Sequence, residues 1–151
     1  MTTHTYEASL SWAGSTGAGY RLYQRDHTVA LGGAGDLEMS ADAAFRGDPA
    51  RASPEALLLA AATSCQLLSF LAVAARARVD VVAYADRATA TMPEDDLPVR
   101  ITEVTLRPEI SVRGADADQV RDLVRLAHEQ CYIGNSLTAS FVIEPVIEVL
   151  P

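Results

Sequence analysis

Apolar residues along the chain fall into two kinds of pattern, short alternating runs and one long unbroken one. The long run spans Ala52 to Ala77, where only Thr63, Ser64, Gln66 and Ser69 interrupt the alanines, leucines, Phe70, Val73 and Cys65 between Ala56 and Ala75. Its start carries the chemistry of a helix N-terminus. Ser53 is a suitable N-cap, Pro54 fits the first helical position, and Glu55 places a negative charge at the positive end of the helix dipole. A helix apolar on nearly every face is expected to be buried. The run is about long enough to span a bilayer, but its polar interruptions, capped start and lack of basic flanks on the N-terminal side favour a soluble core helix.

Alternation before this helix predicts a strand from Thr3 to Trp12, a glycine-rich turn over residues 13–19, and a return strand through Tyr20–Gln24 and His27–Leu31. Residues 32–36 break that strand, and Leu37 to Arg51 reads as a loop or a short strand leading into the helix. Beyond the helix, Val79–Thr91 and Arg100–Val112 are rich in valine, isoleucine and threonine, and they flank an acidic loop at residues 92–98, which predicts a second hairpin. Val120, Leu123, Val124 and Ala127 recur at helical spacing, placing a second helix over Ala117–Gln130. Leu137 to Val149 reads as a closing strand, with Pro145 marking an edge or a bulge. The order is that of an α+β chain forming a single domain over residues 1–151. So small a domain has few layers with which to cover the long helix, which makes dimerisation around it plausible.

The 151 residues are 49% hydrophobic and 21% charged, with a formal net charge of −8 and a pI near 4.7. That balance opposes contact with nucleic acid or with anionic membrane. The first residues lack a basic segment followed by an apolar one, so the expected location is cytoplasmic. There, two cysteines do not imply a structural disulfide; they are either small buried hydrophobes or a redox pair.

Cys65 lies ten residues after Glu55, about 15 Å along the helix. A thiol among alanines and leucines resists ionisation unless a cation is close. Arg21, Arg25, Arg46 and Arg51 precede the helix; Arg25 and Arg46 are flanked by aromatic and acidic residues, and spacing does not choose between them. Cys131 follows the second helix, where a fraying last turn and Gly134 suit a resolving thiol that moves. His128 is a general base, a ligand or simply a complement to the helix dipole. His4, His27 and His128 show no metal-ligand spacing with the cysteines. Also missing are a Cys-x-x-Cys pair, a phosphate loop, a dinucleotide fingerprint and a serine nucleophile elbow.

Taken together, Ser53-Pro54-Glu55, the Ala-Thr-Ser-Cys65 segment, Val-Thr-Leu-Arg-Pro at 104–108 and Ala-His-Glu-Gln-Cys131-Tyr-Ile-Gly-Asn-Ser136 resemble the OsmC/Ohr family of osmotically inducible and organic hydroperoxide resistance proteins. The resemblance covers nearly the whole chain and implies an intertwined homodimer, with two long central helices packed against antiparallel sheets and active sites at the subunit interface. It implies a cofactor-free thiol peroxidase. Cys65 would attack an organic hydroperoxide, its sulfenic acid would condense with Cys131, and a dithiol such as a lipoyl group would reduce the disulfide. Glu55 would pair with an arginine that stabilises the thiolate, Arg25 placed ahead of Arg46. Leu68, Phe70 and Tyr132 would line an apolar substrate pocket. Ser53 stands where many members have asparagine, and Tyr132 where the better-known peroxidases have proline, which brings the chain nearer to a subgroup reading Cys-Phe-Ile-Ala-Asn-Ser. The same fold also suits a redox sensor or apolar-ligand binder without turnover, or a stress protein whose cysteines only fill space.

Overall fold

The computed structural model describes all 151 residues, which gather into two compact units, 1–57 and 58–151. The first holds a three-stranded antiparallel sheet of β1 (Ser9–Ser11), β2 (His27–Ala30) and β3 (Asp36–Met39). The predicted hairpin is present, but both of its strands are shorter than the alternation suggested. Residues 20–23 are turn rather than strand. There the carbonyls of Tyr20 and Tyr23 are taken by the Arg25 side chain instead of a neighbouring strand. The stretch read as a loop or short strand, 37–51, contains most of β3 and a short 3-10 turn at Ala43–Phe45, where the Asp42 side chain accepts from the Ala44 N–H at 2.8 Å. Arg51 fastens this unit through Glu38 at 2.7 Å, Asp26 at 3.3 Å and Asp48 at 3.5 Å.

Helix α1 runs from Pro54 to Arg76. Ser53 caps it as its sequence predicts, the hydroxyl accepting from the Ala56 N–H at 3.2 Å. The expectation of burial on all sides does not hold within one chain, where only Ala62, Gln66, Phe70, Val73 and Ala74 are fully buried. A single chain lays one layer of structure against this helix, so its opposite side, Leu68 and Leu71 included, stays exposed. By length and composition α1 is the one helix able to cross a membrane. Its buried side nevertheless carries Gln66, which is held by a hydrogen bond from Nε2 to the Val124 carbonyl at 3.1 Å.

In the second unit each predicted long strand is divided in two. Val79–Thr91 becomes β4 (Asp80–Asp86) and β5 (Thr89–Thr91); Arg100–Val112 becomes β6 (Glu103–Leu106) and β7 (Pro108–Arg113). Helices α2 (Ala117–Glu129) and α3 (Tyr132–Ser136) follow, and then β8 (Ser140–Ile143) and β9 (Val146–Val149) on either side of Pro145. Two sheets result, ordered β4-β7-β9 and β5-β6-β8. Register is continuous across the break, Leu106 pairing with Ile143 and Glu109 with Val146. One sheet is therefore bent along a line through all three strand pairs. Arg107 staples the bend: its N–H donates to Asp86 Oδ1 at 2.7 Å, its Nη1 to Thr89 Oγ1 at 3.1 Å, and its Nε meets Glu144 Oε2 at 3.1 Å.

The α+β architecture is as expected, with antiparallel pairing throughout except at one edge of each of these two sheets. β4 and β5 pair antiparallel with β7 and β6, but β8 and β9 join as parallel edge strands. Helices α2 and α3 form the crossover that returns the chain to run in the same direction. Phe70, Val73, Val79, Ile110, Val112, Val120, Leu123, Val124 and Ala127 make the main core, clamping α1 and α2 to the first sheet. Ala62, Val104 and Leu106 form a second cluster that includes Ile133 of α3.

Candidate active site

Cys65 and Cys131, sixty-six residues apart in the chain, meet beside the first turn of α3. Cys65 sits half-buried in the middle of α1, and Cys131 is fully buried. The Ile133 N–H donates to Cys65 Sγ at 3.5 Å, and the next amide, Gly134 N–H, donates to Cys131 Sγ at 3.3 Å. Cys131 is thus the N-cap of α3, and its sulfur takes the place of the usual hydroxyl or carboxylate oxygen. That corrects the expectation of a mobile thiol in a fraying turn, because the chain begins a new helix at this point.

Burial pushes the Cys131 thiol up to about 11; the Gly134 N–H pulls the other way, and the neighbouring Cys65 thiol adds to the rise. Cys131 therefore keeps its proton at neutral pH. A partly open sulfur on one side and a closed, protonated one on the other give the two thiols unequal chemistry. Gly134 leaves room for Cys131 and His128, since a side-chain carbon there would stand 3.3 Å from His128 Cε1 and 3.4 Å from Cys131 Sγ. His128 itself packs on Phe141, with ring centres 4.9 Å apart, and its Nδ1 is buried without a partner. Burial holds its pKa below the ordinary value of 6.5.

Beside Cys65 a cavity of about 220 Å³ opens along α1. Leu68, Ser69, Ala72 and Arg76 form its floor, and Gln130 and Tyr132 face them. Phe70 is not among these residues, because it points from the opposite side of the helix into the core.

Glu55, Arg25 and Arg46 belong to the first unit. One carboxylate oxygen of Glu55 is buried with no hydrogen-bond partner. Arg25 is held firmly: its guanidinium lies 3.9 Å from the Tyr23 ring centre and 4.7 Å from that of Tyr20, and it donates to the carbonyls of Tyr23 at 2.8 Å and Tyr20 at 2.7 Å. It also lines a largely apolar cavity of about 380 Å³ with Trp12, His27 and Pro54, the residue before Glu55. Arg46 is exposed, in a left-handed conformation (φ 68°) at the end of the 3-10 turn, and makes no ion pair. Residue patterns did not reveal the two amide donors of α3, since backbone groups leave no mark in a sequence.

Residues 46–146 match the family described as OsmC-like protein. No curated protein matches the chain significantly. Among solved structures, an OsmC-like protein of unknown function from Vibrio cholerae is 28% identical and superposes with a TM-score of 0.85 over 95% of this chain and 100% of its own. An organic hydroperoxide resistance protein from Elizabethkingia anophelis is 18% identical, with a TM-score of 0.71 over 99% of each chain. The organic hydroperoxide resistance protein OhrB of Bacillus subtilis is also 18% identical, with a TM-score of 0.62 over 97% of this chain and 98% of its own. At those two identities the likeness concerns the fold. The family match spans both cysteine segments and most of the chain, and the protein belongs to the OsmC-like family.

Proposed function

We propose that this protein is a cysteine-based peroxidase that reduces organic hydroperoxides. The observation that carries the proposal is the pairing of an accessible Cys65 with a buried, proton-holding Cys131 on adjacent amides of α3. In the first step the Cys65 thiolate attacks the distal oxygen of the hydroperoxide. The O–O bond breaks, Cys65 becomes a sulfenic acid, and the alkoxide leaves and takes up a proton as the alcohol. In the second step Cys131 sulfur attacks the sulfenic sulfur, forming a disulfide; hydroxide leaves and combines with the Cys131 proton as water. Two thiols are oxidised and one peroxide is reduced. A dithiol then restores the pair, with lipoyl groups the donor class that the family resemblance implies. The proximity of Cys131 supports resolution ahead of irreversible over-oxidation.

The Ile133 N–H, 3.5 Å from Cys65 Sγ, belongs to the setting of the attacking sulfur in this proposal. Glu55, through its unpaired carboxylate oxygen, and Arg25, ahead of Arg46, belong to the same proposal as the pair that steadies the thiolate. So do a homodimer, a single domain of 151 residues and a cytoplasmic setting. The names of the hydroperoxide resistance relatives support the substrate class.

The test is the intact mass and free-thiol count of reduced protein before and after one equivalent of cumene hydroperoxide, with hydrogen peroxide in parallel. Loss of two hydrogens and both thiols within one chain, faster with the organic peroxide, is expected. Survival of both thiols sinks the proposal. Cys65→Ser is expected to abolish peroxide consumption, and Cys131→Ser to allow one turnover followed by sulfinic acid at Cys65. Equal residual turnover in the two variants refutes the division of roles.

A further inference from the structure

A second cavity within residues 58–151, about 370 Å³, lies between α2 and the break that joins β8 to β9, and it shares no lining residue with the one beside Cys65. Arg121, Val124, Arg125 and His128 line it at helical spacings of three, four and seven residues, so they occupy one face of α2 over about 10 Å. Ile143 and Pro145 line it from the strands, and the interior is largely apolar. Its volume is that of a small-molecule site. The polar side chains around this space are two guanidinium groups and an imidazole. Each arginine meets a carboxylate through one nitrogen only: Arg121 Nη1 lies 2.6 Å from Asp118 Oδ1, and Arg125 Nη2 lies 3.1 Å from Asp122 Oδ1. Those aspartates are 93% and 69% exposed, so the pairs are weak and most N–H donors of both guanidinium forks are left over. His128 adds a buried nitrogen, Nδ1, that finds no partner in the chain. A ligand oxygen there would remove the cost of leaving it unpaired.

We propose that this cavity binds a small arene carboxylate, with its ring against Val124, Ile143 and Pro145 and its carboxylate held by Arg121 and Arg125. Charge complementarity carries the argument, since two adjacent guanidinium groups border an apolar space and a planar fork matches a carboxylate through paired hydrogen bonds. The same groups stack on aromatic faces, which favours a flat ligand. A span of about 10 Å along α2 admits one or two fused rings and excludes a long alkyl chain. Neither thiol takes part, so the site stands whether or not the protein turns over peroxide.

The test is local because the chain has three histidines, His4, His27 and His128, and only His128 lines this cavity. Naphthoate is titrated into the reduced protein and followed by the imidazole proton resonances, with naphthalenemethanol as the uncharged analogue and His128→Gln to assign the His128 signal. Naphthoate is expected to move the His128 resonance alone and to bind roughly tenfold more tightly than the alcohol, the range of a charge-assisted contact. Arg121→Gln combined with Arg125→Gln is expected to remove that preference and to leave binding of the alcohol unchanged, whereas Arg76→Gln, at the other cavity, is expected to bind naphthoate as wild type does. Both cavity arginines are exposed, and unmoved His4 and His27 signals in the double variant check that the fold is kept. A shift of the His27 resonance in place of His128 puts the ligand in the cavity that holds Arg25 and overturns the proposal. So does an acid-to-alcohol ratio that the double variant leaves unchanged, or the absence of any shift at millimolar naphthoate.

Discussion

Cys131 concentrates the chemistry of the site into one titration. Its thiol moves from an ordinary value of 9.0 to about 11 on folding, chiefly by burial. The folded state therefore favours the protonated form. The stabilisation tied to this shift is whole below pH 9.0 and is lost as pH rises through about 11. Tyr84, buried beside Phe70, is shifted in the same direction by burial and contributes at higher pH. Urea unfolding of wild type and Cys131→Ser across this range separates the two: wild type is expected to lose more stability than the variant, and parallel curves would mean that the thiol is not held protonated. His128 acts with the opposite sense. Its pKa is depressed by burial, so its contribution is present above pH 6.5 and lost as pH falls through the lower folded-state value.

Elements join through a small number of specific contacts. Phe70 is completely buried where α1 meets α2 and the first sheet, and Phe70→Ala is expected to cost about 3–5 kcal/mol, measurable as a lower urea midpoint. Gln66 sits one turn earlier on the same face, with its amide nitrogen paired to Val124 but its amide oxygen buried and unpaired. Gln66→Leu removes both the bond and the orphan, so a change within about 1 kcal/mol of neutral is expected by the same unfolding measurement. Gly47 stands where the chain passes Ala41 so closely that a side-chain carbon would overlap the Ala41 carbonyl oxygen, 1.6 Å away. Gly47→Ala must shift backbone. Trp12, the only tryptophan, lies in that unit and donates to the Gln24 carbonyl at 2.9 Å, so its fluorescence is expected to report a lower unfolding midpoint for the variant.

At the scale of the whole molecule, one chain leaves too much apolar surface uncovered to account for its own fold. Beside the cavity at Cys65, a second stripe of α1 formed by Ala60, Ser64, Leu71 and Ala75 is exposed. In the first unit only Met39, Ser40 and Ser53 are fully buried, while Leu10, Leu22 and Tyr20 are 65%, 73% and 60% exposed. Units of that size bury little of their surface alone and are marginal without further support. The proposed homodimer supplies it, since small residues on the second stripe allow another helix to approach. Sedimentation is expected to give twice the 16.1 kDa chain mass, and Leu71→Glu to give a monomer with a lower melting temperature. A wild-type monomer would remove the dimer from the proposal.

The readable parts of this protein were those with local causes. Ser53, Pro54 and Glu55 specified where α1 starts because a cap satisfies groups within one helical turn, and the spacing of Val120, Leu123, Val124 and Ala127 specified the buried side of α2 because periodicity is a property of the helix itself. The acidic loop between two β-rich runs announced a hairpin, and the two cysteine segments announced the family. Tertiary structure alone decided the bend in that hairpin, because the staple at Arg107 draws on Asp86 and Thr89 at one other strand break and on Glu144 at a second. It also decided that β8 and β9 run parallel to their neighbours, since the direction of a returning chain depends on the whole crossover. The meeting of Cys65 and Cys131 on consecutive amides of α3 depended on packing α1 against that crossover, a long-range event that no residue pattern records.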